Sequence, residues 1–146
     1  MAIEYKNVIN GRFCKLWWNN EEIGEVKSFS ATIKIDREDV KFNKSFKKGS
    51  KLKDMSGEGT FVLYHVYTRG MNDMLNSYKN GEDVVFKITS SSEDKDQVNG
   101  QIEKINIGTA WLNELVLADW EQDKILERSY SYGFDPSSAN FLDTID

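Results

Sequence analysis

Apolar and polar residues alternate with a period of two along most of this chain, and that period predicts strands. Arg12 to Trp18 reads as a strand, and Asn19-Asn20-Glu21-Glu22 supplies the turn after it. In the long run Ile23 to Asp36, one face holds Phe29, Ala31, Ile33 and Ile35, and the other holds Ser28, Ser30, Thr32 and Lys34. That is the pattern of an antiparallel strand with one wet side. Gly57 to Tyr67 is the most apolar segment: Phe61, Leu63, His65 and Tyr67 alternate with Val62, Tyr64 and Val66, which predicts a strand covered on both faces. Val84 to Ser90, Gln101 to Ile107 and Glu114 to Trp120 read as further strands, and Ser91 to Gly100 as a polar loop. In the last strand Leu126, Arg128, Tyr130, Tyr132 and Phe134 alternate with Glu127, Ser129, Ser131 and Gly133.

The period changes once. Met71, Met74, Leu75 and Tyr78 fall at i, i+3, i+4 and i+7, the stripe of an amphipathic helix. Thr68 is placed to cap its start and Asn80-Gly81 to stop it. The sum is a mainly β domain of about seven strands with one α-helix, an antiparallel β-sandwich or partial barrel.

At 146 residues the chain reads as a single domain, 1–146, able to bury a core without staples. It has no run near the roughly 20 apolar residues of a membrane span. Its first residues, MAIEYKNVINGRF, lack the basic-then-apolar layout of a signal peptide. The one cysteine, Cys14, excludes an internal disulfide and a thiolate metal cluster, and reads as a buried strand residue. A net charge of −5 argues against binding nucleic acid over the whole surface.

That charge is unevenly spread. Arg37 to Asp54 carries seven positive residues against three negative, a net +4, which leaves −9 on the other 128 residues. The Gly49-Ser50 centre of this segment predicts a loop or hairpin tip, and a basic projecting loop is expected over residues 37–57. An N-terminal arm is expected over residues 1–11 and an irregular acidic tail over 135–146. A basic arm on an acidic body suggests a chain that docks on copies of itself.

Little else reads as chemistry. The single histidine, His65, lies in the most apolar strand and reads as a core or interface residue rather than a catalytic base. Gly57-Glu58-Gly59-Thr60 is too short for a phosphate loop and lacks its lysine. Glu93-Asp94-Lys95-Asp96 lacks the spacing of a calcium loop. No catalytic residue, cofactor or metal is expected. Trp17, Trp18, Trp111 and Trp120 form either a sugar-binding platform or core plus subunit interface, where tryptophan and tyrosine are enriched. The neighbours Trp17 and Trp18 must face opposite sides of a strand.

The order and spacing of several segments resemble a family. These are Asn7-Val8-Ile9-Asn10-Gly11-Arg12, Leu16-Trp17, Ile23 to Ala31, the charged stretch through Val40, GEGTFVLYHVYTRG into the helix, and Tyr130-Ser131-Tyr132-Gly133-Phe134-Asp135. Together they are similar to the tail tube proteins of contractile phage tails, in particular the PBSX-like tube proteins of Gram-positive prophages. The likeness runs over nearly the whole chain, although the double tryptophan departs from it. R-type bacteriocins, headless contractile tails, use the same protein type, and a diffocin-like particle is one alternative. A carbohydrate-binding module and a type VI secretion tube are others.

The resemblance implies stacked hexameric rings inside a sheath, with baseplate or tube initiator and terminator proteins as partners. Each subunit is expected to give four strands to a continuous barrel of 24. At about 4.8 Å per strand the circumference is about 115 Å before tilt, which leaves a bore comparable to duplex DNA. DNA would then be non-specific cargo if the particle is a true phage. A bore that lets it slide must not be lined with lysine. Ser28, Ser30, Thr32 and Thr89 are the expected lumen-facing residues. Lys44, Lys47, Lys48, Lys51 and Lys53, with Phe42 and Phe46 as apolar anchors, are the expected inter-ring contacts. The implied location is a virion tail or tail-like particle assembled in the bacterial cytoplasm.

Overall fold

The computed structural model describes residues 3–146. Met1 and Ala2, at the start of the expected N-terminal arm, lie outside the described residues. Eight strands and one helix follow in order: β1 Cys14–Trp18, β2 Glu21–Glu22, β3 Val26–Lys41, β4 Lys48–Tyr64, α1 Met71–Lys79, β5 Phe86–Ser92, β6 Glu103–Leu112, β7 Glu127–Phe134 and β8 Ala139–Asp143. All pairings are antiparallel, in the path β2-β1-β5-β6-β7-β4-β3, with β8 joining β6. β6 shares one side between two neighbours: Lys104–Ile107 meet β8 and Ala110–Leu112 meet β7.

The sheet curls so that one face encloses the core. Trp18 on β1 lies edge-on to Phe61 of β4 and to Tyr130 of β7, at 5.6 Å each, and 5.1 Å from Phe86 of β5. Phe61 and Tyr130, directly opposite in register, stack at 4.8 Å. Such rings contribute beyond the area they bury. Leu16, Ile88, Ile107, Leu112 and Tyr132 complete this core, and Met74 of α1 is buried against it. The barrel is partial. β1 and β3 approach across a hollow of about 740 Å³ lined by Cys14, Leu16, Val26 and Phe29, with no ladder between them.

Two glycines of β4 let the aromatic face close. A Cβ on Gly57 would lie 2.5 Å from the Phe134 ring, and one on Gly59 would lie 2.2 Å from the Ser30 carbonyl and 2.6 Å from the Tyr132 hydroxyl. The Tyr132 hydroxyl donates to the Ser30 carbonyl at 2.7 Å through the space Gly59 leaves. The GEGT segment is therefore a packing device.

Several expectations need correction. The expected loop over 37–57 is mostly strand: only residues 42–47 lie outside β3 and β4, so the basic segment is a long hairpin. Glu114 to Trp120 forms no strand. Leu115 and Val116 are both half-buried, and two adjacent inward residues do not fit a period of two. The tail is not irregular throughout, since β8 and the turn Pro136–Ser138 occupy most of it. Ser91 and Ser92 belong to β5 rather than to a polar loop. The helix starts from Gly70 in the left-handed region, not from a Thr68 side-chain cap. Cys14 is exposed: it is the first residue of β1, at the end that β2 does not reach. His65 is exposed just past the end of β4 rather than in the core.

Candidate assembly interface

β3 and β4 pair along their whole length, yet the rest of the sheet follows them only part of the way. β7 joins β4 from Tyr64 to Gly57 and stops there. Beyond it, roughly Ile33–Lys41 and Lys48–Ser56 form a two-stranded arm with no other ladder partner among the described residues. At about 3.3 Å per residue the arm projects about 30 Å. Among the described residues β3 pairs with β4 alone, which leaves its outer edge open over all 16 residues. Open edges of this length recruit other strands.

The alternation that builds the core continues onto the arm without a cover. Phe29 and Ala31 sit on the core face beside Phe61 and Tyr132, and register puts Ile33 opposite Gly57 and Ile35 opposite Met55 on the same face. Ile33, Ile35, Met55 and Leu52 are all exposed. A register shift between Asp36 and Arg37 inserts one extra residue on β4 and brings Arg37 opposite Leu52, an irregularity that increases local twist.

The expected contact residues collect at the far end. Phe42 is 77% exposed and Phe46 105%, and neither ring stacks on another among the described residues. Lys44 holds a left-handed backbone (φ 65°) at the tip, where the Ser45 hydroxyl accepts from the Lys47 N–H at 3.1 Å. Lys48 pairs with Asp39 at 2.9 Å. Lys51 faces Glu38 in register, and Lys53 lies at the register shift. Among the described residues no carboxylate comes within ion-pair distance of Lys44, Lys47, Lys51 or Lys53.

The opposite face of β3, β4 and β7 is a field of hydroxyls. Ser28, Val62 and Ser129 form one row, Ser30, Thr60 and Ser131 the next, and Thr32, Glu58 and Gly133 the third. The Ser30 and Thr60 hydroxyls are 3.2 Å apart. Lys27–Glu127 at 2.6 Å and Lys34–Glu58 at 2.7 Å close its two ends as neutral pairs. Ser28, Ser30 and Thr32 are thus brought together, whereas Thr89 is not. It sits on β5, 8% exposed, with its hydroxyl donating to Asn106 Oδ1 at 3.0 Å.

The four tryptophans do not form one platform. Trp18 is in the aromatic core, Trp17 carries Lys104 Nζ 5.4 Å above its ring, and Trp111 lies over Gly133. Only Trp120 is largely exposed among them.

Two polar devices were not singled out in the sequence. Arg69, reaching across from the segment before α1, hydrogen-bonds Glu25, lies 3.6 Å from Glu21 and stacks 5.2 Å from the Tyr67 ring. Its guanidinium holds the Glu25 carboxyl below the usual carboxylate range. Asp94 is buried and accepts from the Asn10 and Asp96 backbone N–H groups, each at 3.0 Å, which ties the N-terminal segment to the loop after β5. Both pairs join residues distant in sequence (|i−j| 44 and 84), so no local motif marks them. The uncovered apolar stripe did have a signal, since Leu52 and Met55 stand among lysines.

Among the described residues no cluster of His, Cys, Asp or Glu is arranged to hold a metal, and no helix is long and apolar enough to cross a membrane. A family described as "Phage tail tube protein" matches residues 1–139. The chain is 24% identical over 136 residues to "Phage-like element PBSX protein XkdM" of Bacillus subtilis (strain 168), covering 92% of each chain. It is 26% identical over 100 residues to "Uncharacterized protein YqbM" of the same strain, covering 68% of each. Its fold is similar to a chain of the extended-state sheath/tube terminator of the extracellular contractile injection system PVC (TM-score 0.74, 16% identity, 97% of this chain and 99% of that one). It is also similar to a chain of the PVC sheath-tube complex (TM-score 0.73, 15% identity, covering 97% and 95%) and to one of the anti-feeding prophage tube-terminating cap (0.72, 14%, covering 99% and 95%).

Proposed function

This chain belongs to the phage tail tube protein family, a structural and non-enzymatic one, and on that premise we propose that it closes into hexameric rings which stack as the inner tube of a contractile tail or tail-like killing particle. The observation that carries this reading is the outer edge of β3, open among the described residues and continued by an arm whose apolar stripe is exposed. A neighbouring copy pairing along that edge satisfies the free backbone groups, and closure into a ring leaves no edge exposed. The six-fold number follows the resemblance to contractile tail tubes.

The hydroxyl face of Ser28, Ser30 and Thr32, flanked by neutral ion pairs, suits the bore. It offers polar groups for water and no net positive charge to hold a polyanion. Thr89 drops out of this lining as its hydroxyl is committed to Asn106. The solved assemblies resembling this fold carry a sheath, a terminator or a cap in their descriptions, which supports sheath and terminator proteins as partners here; a baseplate partner and passage through the envelope of a target cell follow the resemblance to contractile tails.

Electron microscopy and gel filtration of the purified chain at rising concentration test this. Rings and short tubes are expected, with β3 amides protected from hydrogen exchange on assembly. A chain that stays a single protomer at millimolar concentration and leaves no six-fold ring on the grid overturns it.

A further inference from the structure

We propose that the arm tip docks head to tail on the segment 113–126 of a second copy of this chain. This rests on the ring-stacking reading and names the surface that receives the arm.

Strand register puts the two regions at opposite ends of the protomer. β3 runs outward to the tip at Lys41 and β4 returns to Tyr64, which lies opposite Glu127 at the start of β7. β6 ends at Leu112, opposite Tyr132. The connection between β6 and β7 therefore closes the end of the sheet that points away from the arm. Complementary patches at opposite ends make a heterologous contact, which repeats along one axis instead of closing on a pair.

The chemistry of the two ends matches. The arm carries a net +4. Segment 113–126 carries Glu114, Asp119, Glu121 and Asp123 against Lys124 alone, and its one internal ion pair, Lys124–Glu121, is at 3.7 Å. Each side also offers uncovered apolar surface: Phe42 and Phe46 on the arm, Leu117, Ile125 and Trp120 (72% exposed) on the segment. At the tip an open hollow of about 520 Å³, lined by Val40, Phe42, Ser45 and Lys47, gives an aromatic ring a seat. Mixed apolar and charged contacts of this kind give both affinity and register.

Other acidic surfaces fit less well. Glu21 and Glu25 lie near the same end but already face Arg69. The acidic tail lies at the arm's own end, because β8 runs from Ala139 opposite Ile107 to Asp143 opposite Lys104, away from Leu112. A head-to-tail stack keeps it from a neighbour's arm tip. Segment 113–126 is also a long connection without helix or strand, a class that in compact domains usually serves a function.

The test uses the full chain with Cys14→Ser, carrying Phe46→Cys and Trp120→Cys together. Oxidation of assembled material is expected to give a ladder of disulfide-linked oligomers, which either cysteine alone does not extend past a dimer. In parallel, Lys44→Glu with Lys47→Glu, or Asp119→Lys with Glu121→Lys, raises the concentration needed for tubes about tenfold or more, and the combined four-site variant recovers most of that loss. Parent tubes with no ladder and no recovery overturn the arm–segment contact while ring stacking stands. A parent chain that forms neither rings nor tubes overturns both. Monomer melting curves identify any variant that is merely unfolded, and for such a variant the ladder decides.

Discussion

β3 and β4 are one hairpin with two different fates. In its inner half Phe61 and Leu63 are buried, Gly57 and Gly59 accept aromatic rings, and β7 completes the ladder. In its outer half the same alternation continues through Ile33, Ile35, Leu52 and Met55, yet these side chains meet solvent. The strands do not change character at the boundary; the supply of neighbours does. Monomer stability is therefore concentrated in the inner half, and the outer half presents a stripe of apolar side chains to solvent.

Substitution should separate the halves. Phe61→Ala, which empties a fully buried site between Trp18, Tyr130 and Tyr132, is expected to cost about 3–5 kcal/mol in chemical denaturation. Phe46→Ala should stay within about 0.5 kcal/mol of the parent in the same assay while weakening tube formation on the grid. Equal losses of monomer stability from both would break the comparison.

Gly59→Ala sharpens it at the boundary. Its Cβ must displace the Ser30 carbonyl or the Tyr132 hydroxyl, and overpacking of this kind costs about 1–3 kcal/mol. Gly49→Ala, whose Cβ meets nothing closer than the Val40 carbonyl at 4.0 Å, should leave the melting temperature nearly unchanged.

Tyr130 and Tyr132 give a subtler readout. Burial pushes both hydroxyls to a higher pKa than a free tyrosine. A raised pKa in the fold means that stability is intact below the unfolded value of about 10 and falls as pH rises beyond it. Phenolate absorbance from these two rings should therefore appear only with loss of the near-ultraviolet circular dichroism signal. Tyr132→Phe removes the bond to the Ser30 carbonyl and should cost about 0.5–1.5 kcal/mol.

The smallest effect lies on the acid side. Glu25 is held low by its hydrogen bond to Arg69, so its contribution is present above the ordinary glutamate pKa of about 4.3 and lost as pH falls through the lowered value. Glu25→Gln should flatten the acid limb of a stability–pH curve measured by urea denaturation. An unchanged limb would mean that the pair does not hold the segment before α1.

Much of this was legible in the residues because the signals were local. The aromatic and aliphatic alternation of β4 and β7 and the single change of period at α1 sit within short windows and became strands and a helix, whereas the isolated basic stretch, expected as a loop, became the outer part of a long hairpin. Ser28, Ser30 and Thr32 were readable as one face for the same reason, as period two on a single strand needs no partner to define it.

What the chain order by itself determined is therefore which residues alternate, where the helix lies and where positive charge is concentrated. Only the tertiary structure decided which alternating stretches receive a neighbour. Pairing β7 with the inner half of β4 and leaving the outer half bare depends on contacts between residues about 70 positions apart, and burial is a property of such contacts. Hence Ile33 and Ile35 read as the dry face of a strand and ended on an exposed arm, Thr89 read as lumen-facing and ended buried with its hydroxyl bonded to Asn106, and Glu114 to Trp120 read as a strand and became the connection at the far end.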